Sequence, residues 1–213
     1  MHMFDMMPAP PSKLDRSFYQ IQSSEMPARK RDVLLDTAER LFYAEGFHAT
    51  GVDRVVVEAG VARMTLYNHF SSKEALIEAV LDRRFARYLD ELRGAMDGAA
   101  KGQAVTALVE VHCRWLETTA NRGCIVIKAI GEFEHHHPAI SDLGRRLKHE
   151  LIAVIGDALT RDGMVDEAGM AERLLVILEG ADALVPVLGA ATVNNHLRAM
   201  MPAVLASTTE EQA

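Results

Sequence analysis

Residues 52–70 read VDRVVVEAGVARMTLYNHF, and this stretch decides the fold of the chain. Val52, Val55, Val56 and Ala59 fall on one face at helical spacing, so residues 52–59 form a short amphipathic helix. Gly60 ends it, because glycine adopts the left-handed turn at little steric cost. Residues 62–68 make a second short helix that closes at His69-Phe70. Val61 fills the space between the two helices, and Leu66 and Phe70 anchor the second from below. Arg63, Met64, Thr65, Tyr67, Asn68 and His69 then remain for the outer surface.

Working outward, Leu34, Ala38, Leu41 and Phe42 form the apolar face of a helix over 30–45, stopped by Gly46. This helix supports the pair as the third member of a helix-turn-helix. Downstream, Ser71 followed three residues later by Glu74 has the pattern of a capping box. It opens a long helix over 72–97 carrying Leu76, Val80, Phe85 and Leu89. Further amphipathic helices are expected at 102–120, 123–134, 139–161, 167–189 and 193–207, separated by Gly, Pro and Asn breaks. No strand alternation and no internal repeat is present. The expected fold is all-α: a three-helix helix-turn-helix head over 28–80, joined by the long helix to a larger helical body over 81–213. Residues 1–27, with Pro8, Pro10, Pro11 and Pro27 and no helical period, are read as a mobile N-terminal tail.

Composition narrows the classes. The 213 residues are 49% hydrophobic and 25% charged, which excludes wholesale disorder. Lys and Arg number 23 against 30 Asp and Glu, a net charge of -7, so the chain is no indiscriminate nucleic-acid coat. Cys113 and Cys124 are too few for a disulfide framework and suit a reducing cytoplasm. No apolar run reaches the roughly 18–20 residues of a membrane span, and the Met-rich start, broken by Asp5 and prolines, is a poor signal peptide. The expected location is the cytoplasm, with no membrane partner.

Residues 31–81 resemble the DNA-binding head of the TetR family of one-component transcriptional regulators. The likeness rests on Ala38-Glu39-Arg40-Leu41-Phe42, Gly46-Phe47, Val52-Asp53, Glu58-Ala59-Gly60-Val61, Thr65-Leu66-Tyr67-Asn68-His69-Phe70 and Ser72-Lys73-Glu74-Ala75-Leu76. It covers about a quarter of the chain, continuously. The resemblance implies a sequence-specific regulator that binds a palindromic double-stranded operator as a homodimer, and a repressor relieved by a small-molecule effector. It implies phosphate contacts from Tyr67 and Lys73, and a phosphate or thymine-methyl contact from Thr65. Arg63 is the expected base reader, because a guanidinium can bond guanine O6 and N7 together. Asn68 and His69 are further base or backbone contacts, and Met64, where the family often has Gly, lies near base edges. Gly51 stands where the family often caps with Ser or Thr, so Thr50 takes over that role or contacts phosphate. Arg29, Lys30 and Arg31 reach the DNA backbone or the adjoining minor groove. Against these stand plainer readings: Tyr67 as a packing aromatic, Lys73 as a solvated lysine, and Arg29–Arg31 as a solvated helix start.

In the body, Leu174, Leu175, Ile177, Leu178, Ala181, Leu184, Val185 and Leu188, continued by Val193, Leu197, Met200, Met201, Val204 and Leu205, exceed one core-facing stripe. The segments 167–189 and 193–207 are therefore the expected dimer interface. An effector pocket is expected among the helices over 102–161, lined by His112, Trp115, Leu116, Cys124, Ile127, Phe133 and Leu147. No cofactor or catalytic set is expected, since no nucleophile, His and acid share a motif and no glycine loop cradles phosphate. His135-His136-His137 lies beside Glu132 and Glu134, but three consecutive imidazoles before Pro138 read as a solvated loop rather than a metal site. Three alternatives stay open: an activator or corepressor-dependent regulator with the same head, an all-α small-molecule binding protein or enzyme with a purely structural head, and a metal sensor using His135–His137.

Overall fold

The computed structural model describes the backbone of residues 13–164 and 169–206, with side chains described from residue 29 onward. Among the described residues there are nine helices and no strand. They are α1 (Lys13–Glu45), α2 (Val52–Ala59), α3 (Arg63–His69), α4 (Lys73–Asp97), α5 (Ala104–Thr118), α6 (Ile125–Phe133), α7 (Pro138–Arg161), α8 (Met170–Leu188) and α9 (Ala190–Ala206). The all-α expectation holds, and α2 has the bounds read from the sequence.

The head is built as the apolar pattern requires. Leu34, Leu35, Ala38, Leu41 and Phe42 of α1 are buried with Val55 and Val56 of α2, Leu66 of α3 and Phe70. Gly60 sits at φ 64°, and its N–H closes back on the carbonyl of Val57, so the turn uses backbone that side chains rarely adopt. α4 then runs 25 residues, about 37 Å. It packs against α1 in the head and against α5 and α7 in the body. α6 and α8 lie on α7, and α9 lies on α8 and α5. The expected boundary between residues 80 and 81 therefore falls inside one continuous helix.

Two local readings change. α1 begins at Lys13 rather than residue 30. Helical periodicity reports where a helix is buried, and among the described side chains the first buried one is Leu34. Residues 1–12 of the expected tail lie outside the described residues. The cap of α4 is Ser72, not Ser71: the Ala75 N–H donates to Ser72 Oγ at 3.1 Å, so Ser72 caps its own third position.

Several contacts tie the head to the body. Glu39 of α1 accepts from Arg83, Arg84 and Arg87 of α4 at 3.3, 2.9 and 2.6 Å. The Tyr43 hydroxyl donates to the Gly123 carbonyl at 3.0 Å and accepts from the Arg122 N–H at 2.7 Å. The Phe47 ring meets Phe133 of α6 edge-on at 5.6 Å.

Candidate nucleic-acid interface and body cavity

α3 is seven residues long and is held by one buried side chain, Leu66, with Phe70 buried just beyond it. Arg63, Met64, Tyr67 and Asn68 are exposed, and Thr65 and His69 are half-buried. Met64 is 68% exposed, so its apolar chain stands at the surface rather than in the core. The Arg63 guanidinium lies 3.0 Å from Asp53 and 5.7 Å from the centre of the Tyr67 ring. A hydrogen bond to Tyr67 and the nearby Asp53 charge raise its already high pKa, so it is a fixed cation at the surface.

Lys73 is half-buried at the first position of α4. Burial lowers its pKa, while Glu74 and Glu132 oppose the shift. Arg29, Lys30 and Arg31 are exposed along α1 rather than at its start, and Arg31 lies 5.3 Å over the Phe70 ring. Thr50 is corrected. It is fully buried, and its hydroxyl donates to the Leu41 carbonyl at 3.4 Å. It can neither cap α2 nor reach a phosphate; Gly51 occupies the cap position without a side-chain bond.

The body encloses a cavity between α4, α5, α7, α8 and the loop before α6. It leaves about 30 Å³ for the centre of a water-sized sphere, room for about two waters. Of the expected lining, His112, Trp115 and Cys124 face it. The other four do not. Leu116 and Leu147 are buried elsewhere in the core, Ile127 is 46% exposed on the outer face of α6, and Phe133 packs against Phe47, His48 and His137. The cavity instead gathers Arg84, Tyr88, Lys148, Glu179 and Asp182, which sequence reasoning missed. A signal was present: each stands on the apolar stripe of its helix. Arg84 has Leu81 and Tyr88 a turn either side, Lys148 has Leu151, and Asp182 has Leu178 and Val185.

These buried charges are arranged in pairs. Lys148 Nζ donates to Glu179 Oε1. Arg84 donates to Glu39 and, at 2.7 Å, to the Thr119 carbonyl, and it lies 4.4 Å over the Tyr43 ring. His112 Nδ1 meets the Tyr88 hydroxyl at 2.8 Å. Burial pushes the His112 imidazole down to about 3, with Lys148 adding and the Leu178 carbonyl opposing. Burial holds the Asp182 carboxyl up at about 7, with Glu179 adding and Lys148 and Arg84 opposing. Burial also raises the Cys124 thiol to about 11, so it is no ready nucleophile. On its own, burial would lower the Lys148 ammonium, but Cys124, Glu179 and Asp182 around it raise it.

His135, His136 and His137 are exposed between α6 and α7, with His137 3.8 Å from Glu74. Among the described residues the His, Cys and carboxylate group with converging ligand atoms is instead Cys124, Glu179 and Asp182. Lys148 already places a cation beside all of them.

α8 and α9 bury Leu174, Leu178, Ala181, Val185, Val193, Leu197 and Met201 in the core of the chain itself. Val176, Leu184, Val187, Leu188 and Met200 remain exposed, forming an apolar face on this pair. Residues 167, 168 and 207 of the expected interface lie outside the described residues. Among those described, no helix is long and apolar enough to cross a membrane.

Residues 34–80 match the sequence model of the bacterial regulatory proteins, tetR family. Among curated proteins, the transcriptional activator FasR of Mycolicibacterium smegmatis is 36% identical over 89 residues, 41% of each chain. The transcriptional regulator UidR of Escherichia coli is 33% identical over 78 residues, 35% of this chain and 39% of that one. The repressor KstR2 of M. smegmatis is 42% identical over 66 residues, 29% of this chain and 32% of that one. The chain thus matches about two fifths or less of the length of these relatives. A TetR-family transcriptional regulator from Streptomyces coelicolor superimposes with a TM-score of 0.77 at 27% identity, covering 85% of this chain and 96% of that one. Reduced NemR of E. coli shares the fold, with a TM-score of 0.67 at 20% identity over 79% and 95% of the two chains.

Proposed function

We propose that this chain, whose residues 34–80 match the tetR family of bacterial regulatory proteins and whose fold matches a TetR-family regulator along most of its length, is a sequence-specific DNA-binding regulator of transcription rather than an enzyme. The observation that carries this reading is α3. It is a rigid, seven-residue helix anchored by Leu66, with Arg63, Met64, Tyr67 and Asn68 turned outward. Its diameter suits a major groove about 12 Å wide. Arg63 reads a base, Tyr67 and Lys73 hold phosphates, and Thr65, Asn68 and His69 complete the contact surface. Residues 28–80 hold seven Lys and Arg against eight Asp and Glu, so affinity comes from a few placed cations rather than a basic field.

The working unit is a homodimer formed through the exposed apolar face of α8 and α9. It sets two α3 helices about 34–36 Å apart on a palindromic operator. The chain acts in the cytoplasm as a repressor, and a small molecule entering the body cavity relieves repression. Two cavity residues reach the head directly. Arg84 lines the cavity and bonds Glu39, and Gly123 lines it and accepts from Tyr43. A ligand that displaces either changes the angle of the head, with a coupling of about 1–3 kcal/mol.

Selection from random DNA with the full chain tests the reading, and a palindromic consensus is expected. Arg63→Ala should cost about 1–3 kcal/mol and relax preference at one base position in each half-site. Failure to enrich any sequence sinks the regulator.

A further inference from the structure

The body cavity contains more hydrogen-bonding capacity than its own side chains use. Asp182 is only 6% exposed, yet its carboxylate makes no hydrogen bond among the described residues. The ion-pair partner it approaches, His112 Nε2, is 3.9 Å away, beyond hydrogen-bond reach. That Nε2 lies against the Leu178 carbonyl, whereas Glu179 Oε2 is buried and unpartnered. Two carboxylates with unmet acceptors around one small space are unusual, because buried polar atoms nearly always find a partner.

Charge selects the kind of partner. Asp182 on α8 faces Arg84 and Tyr88 of α4, His112 of α5, Cys124 before α6, Lys148 of α7 and Glu179 of its own helix. Lys148 is taken by Glu179, and Arg84 by Glu39 and the Thr119 carbonyl. His112, Cys124 and Tyr88 are uncharged near neutral pH, burial being the leading cause for each. Ionised Asp182 then shares the one Lys148 ammonium with Glu179, and these three side chains together carry one net negative charge.

We propose that this cavity binds a small primary ammonium compound, whose N–H donors meet the Asp182 carboxylate and Glu179 Oε2. The inference rests on reading the cavity as the effector site and names the effector's chemical class. Phe85 and Trp115 supply the wall for a short alkyl chain. The limited room excludes a bulky substituent, and a quaternary ammonium brings no N–H at all. Because Asp182 must ionise to bind, proton and ligand compete for the same site, and burial sets that competition near pH 7.

The test is calorimetry on the full-length protein with ethylammonium chloride at about pH 8, where the ligand stays protonated. The expected result is saturable binding, one per chain, weakening about tenfold per pH unit below about 7. Tetramethylammonium chloride at equal ionic strength should not bind. Asp182→Asn, nearly identical in shape, should lose the binding while melting cooperatively. No saturable ethylammonium binding overturns the proposal, as does equal binding of tetramethylammonium or full retention in folded Asp182→Asn. Zinc chloride bound in place of ethylammonium, and lost in Cys124→Ser, overturns it in favour of a metal. Should Asp182→Asn fail to fold, the pH series on the unaltered chain decides, and an affinity flat between about pH 6 and 8 overturns the proposal. A gel shift with selected DNA separates the two readings. A specific shift without ethylammonium binding overturns the ligand class alone. Binding without any specific shift supports the ligand class and overturns the regulator.

Discussion

Asp182→Asn should change how stability depends on pH, and the size of the change follows from two buried groups. Asp182 is held at about 7 against an ordinary 3.8. Between those values the folded chain keeps a proton that the unfolded chain has released, so stability falls as pH rises, by about 1.4 kcal/mol per pH unit. The full loss is about 4 kcal/mol, complete above about 7. His112 works in the opposite sense. Its folded value of about 3 lies below the ordinary 6.5, so between them the unfolded chain binds the extra proton and stability rises with pH. In the unaltered chain the two slopes nearly cancel from about pH 4 to 6.5, and stability should be flat there. In Asp182→Asn the histidine acts alone, so stability should climb through the same range and exceed that of the unaltered chain above about 7. Urea unfolding of both proteins at matched protein concentration, in steps of about one pH unit, measures this. Parallel curves for the two proteins would refute the argument that Asp182 is buried without a partner.

Other outcomes follow from the same geometry. Glu39→Ala leaves the buried Arg84 guanidinium without its carboxylate and should cost about 3 kcal/mol in urea unfolding, more than Asp36→Ala at the exposed end of the same cluster. Thr50→Val should leave the affinity for a selected operator unchanged in a gel shift, because Thr50 is buried beneath α1; a loss confined to DNA binding would restore it as a contact. Val176→Glu with Val187→Glu removes two exposed side chains worth about 1.5 kcal/mol each if buried between subunits, and should shift sedimentation to monomer at micromolar protein. Lys73→Ala should weaken all DNA sequences alike and reduce the salt slope by about one.

The head was legible because local rules govern it. Val52, Val55 and Val56 set a period, Gly60 marks a turn that few residues can make, and both lie within a dozen residues of what they organise. The cap of α4 departs from the capping-box pattern: Ser71 has Glu74 three residues on, but it is Ser72, followed at that distance by Ala75, whose Oγ accepts the Ala75 N–H. The cavity was poorly legible for a different reason. Its charges come from positions 84, 148, 179 and 182, and what joins them is helix packing rather than spacing along the chain. Apolar and aromatic character marks Trp115 and His112 but not which charged residues face inward. Phe133 misled in the same way, since an apolar residue of a body helix can equally face the head, and this one does.

The unbroken α4 has a consequence for anyone recombining this protein with another. Because the helix passes from head to body without a linker, the two halves share a rotational phase. Each residue added between Lys73 and Arg83 would turn the head by about 100° and shift it by about 1.5 Å relative to the body. Glu39 could then no longer meet Arg83, Arg84 and Arg87, and Tyr43 would leave Gly123. A chimera is therefore expected to work only when its junction in α4 keeps the residue count of this helix, however well each half folds.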